Sequence, residues 1–279
     1  MMVFLKRFFR LNNLIVRVIW TQAAIFLIAF GAAHAQSIVL ASTTSTEQSG
    51  LFAHLLPAFE RASGIRVKVV AVGSGQALDM ARRGDADVLL VHDPVAEEQL
   101  VQDGFGLGRR KVMYNDFVLI GPQSDPAQAH GQDIALALQH ISASQAVFVS
   151  RGDRSGTHAA ELRFWRMAGL TAPQGRSYLA CGCGMGAALN MAAYKNAYVL
   201  SDRGTWQSFK NRGDLKLLVE GDIRLRNTYS VIVVNPAKHP HVKRTEAEQF
   251  ANWITSPAGH SVISAYKIAG QSLFFPLAP

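Results

Sequence analysis

Nine residues near the middle of the chain decide the predicted fold, Ser150-Arg151-Gly152-Asp153-Arg154-Ser155-Gly156-Thr157-His158. They follow the apolar run 146–149, which is typical of a short buried strand. They precede residues 159–168, whose composition favours a helix that ends at Gly169. Such a strand-to-helix turn brings free backbone N–H groups to the positive end of a helix dipole, which favours an anion. Arg151 adds a permanent positive charge there.

The same strand–turn–helix plan occurs twice before this stretch. The predicted elements are a strand at 37–41, a hydroxyl-rich turn at 42–46, a helix at 50–60, a strand at 67–72, a glycine turn at 73–76, a helix at 77–83 and a third strand at 87–92. This order predicts parallel strands with helices on both faces of the sheet. Ligands of such sheets bind at the carboxyl ends of the strands, where both turns fall. The glycine turn lacks the third glycine and the distal acid of a dinucleotide fingerprint, which excludes that reading.

Two similar segments far apart in the sequence predict how the chain divides. Residues 114–122 and 227–236 each run from polar to apolar and end at a proline, and a second set of strands and helices lies between them. A chain that leaves one lobe, builds another and returns must cross the gap twice. We therefore predict a first lobe from residues 36–118 and 229–279, a second lobe from 119–228, and a hinge at the two crossings.

The first 35 residues have the features of a cleavable secretion signal. A basic head is followed by the apolar stretch 18–33, and Ala33-His34-Ala35 gives the small-x-small pattern of a signal-peptidase site. The alternative is a membrane anchor, but the apolar stretch is shorter than the roughly 20 residues that a spanning helix needs. We expect export to the periplasm with cleavage after Ala35.

The net charge argues against nucleic acid as a partner. Removing residues 1–35 takes away four basic and no acidic side chains, which lowers the formal charge from +8 to +4. The remaining chain has no dense Lys/Arg run with interleaved aromatic residues. This balance favours a small anionic ligand.

The two cysteines, Cys181 and Cys183, are separated by one glycine. An oxidising compartment favours a disulfide, but a bridge across a single residue needs a demanding geometry. A redox or metal role is the second alternative, although no zinc-type His/Cys spacing accompanies the pair. We favour a third interpretation, two buried thiols beside a glycine turn.

The motifs together resemble the tungstate-binding periplasmic proteins of ABC transporters, the Tup type. The resemblance covers essentially the whole chain after residue 35, and it is carried by Ser42-Thr43-Thr44-Ser45, residues 72–78, 83–92 and 114–117, the stretch 150–158, and Ser201-Asp202-Arg203-Gly204-Thr205. It implies a two-lobed α/β fold of the type II periplasmic binding proteins, with two crossover strands as the hinge. It also implies a tetrahedral oxyanion, tungstate or molybdate, held between the lobes of a monomer that delivers it to an ABC permease and, indirectly, to its ATPase. No cofactor, metal ion or catalytic activity is implied.

The resemblance also implies a set of oxyanion-binding residues: Thr43, Thr44, Ser45 and Ser74 from the first lobe, and Arg151, Ser155, Gly156 and Thr157 from the second. Hydroxyls, amides and an arginine are donors, which suits an anion that carries only acceptors. The sequence departs from the family's pattern at two places. Ser42 stands where a third threonine is common, and Cys181-Gly182-Cys183 replaces the usual Thr-Gly-Gln.

Two alternative functions stay open on the sequence. Phosphate-binding proteins use a similar Arg-x-x-x-Ser-Gly-Thr turn, and Asp153 is the candidate acceptor for the proton of phosphate. A secreted hydrolase would pair Ser155 or Ser45 with His158 or His54, but no Gly-x-Ser-x-Gly elbow is present. His158 and Glu161 at helical spacing lack a third ligand for a metal ion.

Overall fold

The computed structural model describes residues 36–171, 175–268 and 270–277. The predicted signal peptide and its cleavage site lie outside the described residues. The described residues from Ser37 onward belong to one compact unit. Within the described ranges, no helix combines the length and the apolar character that a membrane crossing requires.

Twelve strands and ten helices make up the described part of the chain. The first group is β1 (Ser37–Thr43), α1 (Thr44–Gln48), α2 (Leu51–Ser63), β2 (Arg66–Val72), α3 (Ser74–Arg83), β3 (Val88–Val91), α4 (Pro94–Gln102) and β4 (Gly106–Pro122). The second group is α5 (Ile134–Ala143), β5 (Phe148–Ser150), α6 (Gly156–Met167), β6 (Tyr178–Ala180), α7 (Met185–Lys195), β7 (Tyr198–Asp202), α8 (Arg203–Ser208) and β8 (Leu215–Val219). The third group is β9 (Arg226–Val234), α9 (Arg244–Ile254), α10 (Pro257–Ala265), β10 (Lys267–Ile268), β11 (Gln271–Ser272) and β12 (Phe275–Pro276).

The main sheet has the order β2-β1-β3-β9-β4-β7-β5-β6, and β8 and β12 also pair with β4. Strands β1–β3 are parallel to one another, as are β5–β7. Strands β4 and β9 contain the two predicted crossing segments and pair antiparallel, with Asn115 opposite Asn227. The sheet as a whole is therefore mixed, with the parallel strands predicted for each lobe and antiparallel pairings at the two crossing strands. We call β1–β3 with α1–α4, α9 and α10 the first half, and β5–β8 with α5–α8 the second half.

Each half buries apolar side chains on both faces of its strands. Along β4, Phe117 and Leu119 belong to the cluster under α5 and α6, whereas Val118 and Ile120 belong to the cluster under α7 and α8. This division follows because successive side chains of a strand point to opposite faces. Two further clusters sandwich β1 and β3 in the same way. The two faces of each sheet are thus covered by helices, and the strand ends are left to carry polar residues.

Predictions on helix starts and on the cysteines were wrong. Within the predicted turns 42–46 and 150–158, helix α1 begins at Thr44 and helix α6 begins at Gly156. The glycine turn 73–76 belongs largely to α3, which begins at Ser74 because Gly73 caps the helix and its N–H donates to Gln76 Oε1 at 3.1 Å. The cysteines are not free thiols: Cys181 and Cys183 form a disulfide, with their Cα atoms 5.2 Å apart. Gly182 between them has a φ of 61°, a left-handed conformation that glycine adopts without steric cost.

Candidate functional site

A small cleft lies between the two halves, where β1, β2, β3 and β5 end. Its lining consists of Thr43, Thr44, Ser45, Val72, Gly73, Ser74, His92, Arg151, Ser155 and Gly156. Seven of the eight predicted site residues therefore line one cleft. The eighth, Thr157, is buried directly beyond Gly156. The predicted convergence of the hydroxyl-rich turn with the stretch 150–158 is thus found in the fold.

Three helices begin at this cleft. Helix α1 is capped by Thr43, α3 by Gly73 and α6 by Ser155. The Ser155 hydroxyl accepts from the His158 N–H at 3.2 Å, and the Thr43 hydroxyl accepts from the Thr46 N–H. The Thr43 and Ser155 hydroxyls thus each satisfy one donor of the first turn, whereas Gly73 has no side chain for this, and the other first-turn N–H groups lack partners inside their helix. Their partial positive charges favour an anion in the cleft.

Two buried hydroxyls in this region have no hydrogen-bond partner among the described residues, Ser74 Oγ and Thr157 Oγ1. The two side chains come from opposite halves. A Cβ placed on Gly156 would lie 2.8 Å from Ser74 Oγ, so the chain segments meet at that point. Leaving a buried hydroxyl unpaired costs about 1–3 kcal/mol. Of the two hydroxyls, that of Ser74 belongs to the cleft lining, where an acceptor that enters the cleft can remove this cost.

The Arg151 side chain is 7% exposed and carries the positive charge of the cleft lining. Its Nη2 and Nε donate to Asp153 Oδ2 at 2.5 and 3.1 Å, and Nε also donates to the Cys183 carbonyl at 3.4 Å. Burial raises the pKa of Asp153, but the contacts from Ser155 and the Arg151 charge outweigh it and hold that pKa below its usual value. Asp153 is therefore ionised and orients Arg151.

His92 lines the cleft, and the sequence analysis did not select it as a site residue. It is 3% exposed, and its Nδ1 lies 3.0 Å from Asn227 Oδ1. Burial lowers the pKa of His92 to about 4, the Asn227 contact opposes the shift, and the charges of Arg151 and Arg163 add to it. The imidazole is therefore neutral at pH 7. Its position directly after an apolar strand was the available sequence signal.

The contact from His92 continues into the two crossing strands. Asn227 on β9 donates through Nδ2 to Asn115 Oδ1 on β4 at 2.7 Å. Asn115 in turn donates to the Tyr229 hydroxyl at 3.4 Å. All of these side chains are buried, so each amide needs the other as a partner. The floor of the cleft is thereby tied to the segments that connect the halves.

The residues of the hydrolase alternative do not form a nucleophile–base pair. Ser155 Oγ accepts from the backbone of His158, while the His158 ring accepts from the Arg154 N–H at 3.3 Å. The His54 ring contacts the Val262 carbonyl at 3.1 Å. Covalent catalysis needs a base within hydrogen-bond reach of the nucleophile, and neither histidine ring occupies that position toward Ser155 or Ser45 in the described residues.

Glu161, considered above as a metal ligand, instead stabilises the start of the stretch 150–158 through hydrogen bonds. It accepts from Ser150 Oγ and the Tyr178 hydroxyl, both at 2.7 Å, and from Trp165 Nε1 at 3.3 Å. Burial raises the pKa of Glu161 to about 7 against the effect of these three donors. Its oxygens are directed to the protein interior and hold the start of the stretch 150–158 in place.

The two departures from the expected pattern lie outside the cleft lining. Ser42 is fully buried, and its hydroxyl donates to the Leu90 carbonyl at 2.6 Å, a contact that joins β1 to β3. Cys181, Gly182 and Cys183 are absent from the lining residues, but Cys183 contacts Arg151 as described. Ser42 therefore makes its hydrogen bond away from the cleft, whereas the backbone of Cys183 contacts the cleft residue Arg151.

Comparison with known proteins identifies the family of the chain. The family model of a PBP superfamily domain matches residues 30–258. A tungstate-binding protein TupA from Peptoclostridium acidaminophilum is 48% identical over 247 residues, covering 87% of this chain and 86% of the relative.

Two solved structures are also similar. The tungstate-binding protein TupA from Desulfovibrio alaskensis G20 is 45% identical, with a TM-score of 0.77 over 88% of this chain and 100% of its own. A structure described as the tungstate ABC transporter from Geobacter sulfurreducens is 45% identical, with a TM-score of 0.75 over 82% of this chain and 98% of its own. The fold is thus the two-lobed α/β fold of type II periplasmic binding proteins, and the chain belongs to the TupA family of solute-binding proteins within the PBP superfamily.

Proposed function

We propose that this protein captures tungstate or molybdate in the periplasm and delivers it to an ABC permease and its ATPase. The ion binds in the cleft between the halves of a monomer. The proposed lobes are residues 36–118 with 229–279, and residues 119–228, and β4 and β9 form the hinge. The pair of unpartnered hydroxyls, Ser74 and Thr157, carries this proposal, because buried donors from both sides require an acceptor between them.

The proposed ligand contacts are donors throughout. Thr43, Thr44, Ser45 and Ser74 donate from the first half, and Arg151, Ser155, Gly156 and Thr157 donate from the second. A charge-assisted hydrogen bond contributes roughly 1.5–3 kcal/mol. About six of them reach the roughly −12 kcal/mol of nanomolar binding after ordering costs are met. Closure excludes water from the cleft and strengthens each contact.

Phosphate fits this site less well than a fully deprotonated oxyanion. At neutral pH phosphate keeps a proton and needs an acceptor, and no carboxylate is among the residues that line the described cleft. Asp153, the sequence-based candidate, is occupied by Arg151 and by the Ser155 N–H at 3.1 Å. These contacts favour tungstate and molybdate, whose charge and shape are nearly the same.

Titration of the ion-free protein with four oxyanions tests the function. We expect one tungstate or molybdate per chain, with phosphate and sulfate at least about 100-fold weaker, because phosphate carries a proton that needs an acceptor and sulfate is smaller than the other two anions. Isothermal calorimetry with tungstate, molybdate, phosphate and sulfate measures this. Competition between the first two anions then establishes their order. Tight phosphate binding together with weak tungstate binding would overturn the proposal.

The variant Ser74→Ala separates binding from folding. It removes a hydroxyl that has no protein partner, so thermal stability should stay equal or rise. Tungstate affinity should fall by about tenfold, the value of one hydrogen bond to a charged group. Ser42→Ala is the matched control, because that hydroxyl donates to Leu90 and should cost about 1 kcal/mol of stability with affinity unchanged. Equal affinity of wild type and Ser74→Ala would contradict the placement of Ser74 at the ligand.

A further inference from the structure

The disulfide turn between β6 and α7 touches the cleft arginine at several points. The Cys181 N–H donates to the Ser150 carbonyl at 3.0 Å, and the Cys183 N–H donates to the Arg151 carbonyl at 3.1 Å. In return, Arg151 Nε donates to the Cys183 carbonyl at 3.4 Å. Cys181 Sγ lies 3.7 Å from the Arg151 carbonyl oxygen. Both the backbone and the guanidinium of Arg151 are therefore held by this turn.

The two segments are packed closely enough for a small change in the turn to reach Arg151. A Cβ on Gly152 would lie 2.9 Å from the Ala180 Cβ and 3.6 Å from the Gly182 nitrogen. Gly182 and Gly184 flank Cys183 and have open space beside them. Without a covalent link, two flanking glycines give Cys183 large conformational freedom. The disulfide removes that freedom at the residue whose carbonyl receives the Arg151 N–H.

We propose that the Cys181–Cys183 disulfide is a positioning element for Arg151, so that its reduction weakens oxyanion binding. The proposal rests on the proposed function for its ligand. The cysteines do not touch the ion; they fix the carbonyl of Cys183 and, through it, the guanidinium that faces the cleft. The cysteines are half-buried and Gly182 between them is exposed, so a reductant reaches the bond.

The redox step is a simple two-electron reduction. A trialkylphosphine attacks one sulfur and breaks the S–S bond, and hydrolysis with one water gives the phosphine oxide and two thiols. The sulfur atoms gain two electrons and two protons, and the phosphorus is oxidised. Removing the phosphine by desalting under nitrogen leaves reduced protein for titration without a reagent that reacts with tungstate.

Calorimetry with tungstate on the oxidised and reduced protein tests this positioning. We expect reduction to weaken binding about tenfold, the value of one charge-assisted contact that is no longer held in place. The double variant Cys181→Ser/Cys183→Ser should bind tungstate with the affinity of the reduced protein, and treatment with the phosphine should not change that affinity. In an Arg151→Ala background, reduction should change affinity little, because the two changes act through one residue. Equal affinities of oxidised and reduced wild type, or an equal loss in the Arg151→Ala background, would overturn the proposal.

A second measurement needs no ligand and therefore separates this proposal from the proposed function. Amide hydrogen exchange of the ion-free protein should become faster at Cys183 after reduction, because the hydrogen bond from the Cys183 N–H to the Arg151 carbonyl opens more often. Thermal unfolding of both forms checks that the whole fold is intact. Unchanged exchange at Cys183 would reject the positioning role whether or not tungstate binds. Failure of the oxidised protein to bind any of the four oxyanions would instead reject the proposed function.

Discussion

Replacing Arg151 with alanine is expected to weaken tungstate binding by at least about 100-fold, because two charge-assisted contacts are lost. The variant also leaves Asp153 ionised beside the cleft without its partner, and that negative charge repels the incoming anion. The hydrogen bonds from Ser155, which lower the pKa of Asp153 against the effect of burial, remain in the variant and favour the charged carboxyl. Calorimetry of the purified variant measures the loss.

Arg154→Ala is the matched control for this experiment. Arg154 lies three residues away in the same turn but is exposed, and it pairs with Asp79 at 2.9 Å with 72% of its side-chain surface accessible. Exposed ion pairs contribute about 0–1 kcal/mol, so affinity should change less than about fivefold. Equal effects of the two substitutions would show that the turn 150–158 does not present Arg151 to the ligand.

The second large effect is expected for Gly156→Ala. The added Cβ would lie 2.5 Å from His92 Cε1, 2.6 Å from His92 Nδ1 and 2.8 Å from Ser74 Oγ, all too close for a real contact. These atoms belong to the opposite half, so the methyl group hinders closure rather than folding. Overpacking costs typically 1–3 kcal/mol, which corresponds to about 10–100-fold weaker tungstate binding. The melting temperature of the ion-free protein should change little, because opening relieves the clash.

Gly186→Ala provides the control for this glycine. Gly186 lies in the first turn of α7, as Gly156 lies in the first turn of α6, but its Cβ would meet nothing within 4 Å. Its affinity for tungstate should equal that of wild type. Wild-type affinity of Gly156→Ala as well would mean that the ligand does not require the close approach of the two halves.

Much of the site could be predicted because its chemistry is local in the sequence. Hydroxyls and glycines directly follow apolar strands, and the fold brings these strand ends together, so Thr43, Ser74 and Arg151 all line the cleft. Their contact with an oxyanion stays a prediction, as do the exact lobe boundaries. The antiparallel pairing of β4 with β9 required the three-dimensional structure, because strands far apart in sequence carry no signal of their mutual direction.

Other features depend on distant partners. The sequence does not show that His92 lines the cleft, because its hydrogen-bond partner Asn227 is 135 positions away. The disulfide was judged unfavourable from its spacing, and the left-handed Gly182 that permits it is a property of the folded turn. The missing partners of Ser74 and Thr157 also become visible only after every nearby atom is placed.

The burial of the residues that line the cleft has a consequence for the residence time of a bound ion. Arg151, Ser74 and His92 are each no more than 7% exposed, so on the proposed function we expect an ion held among them to leave after the halves separate. Its residence time is then set by the rate of opening and not by the strength of a single hydrogen bond. The exposed Arg154–Asp79 pair joins the halves at 2.9 Å and is screened by salt, which speeds opening modestly as ionic strength rises. A transport partner that pulls the halves apart would therefore control when the cargo is released.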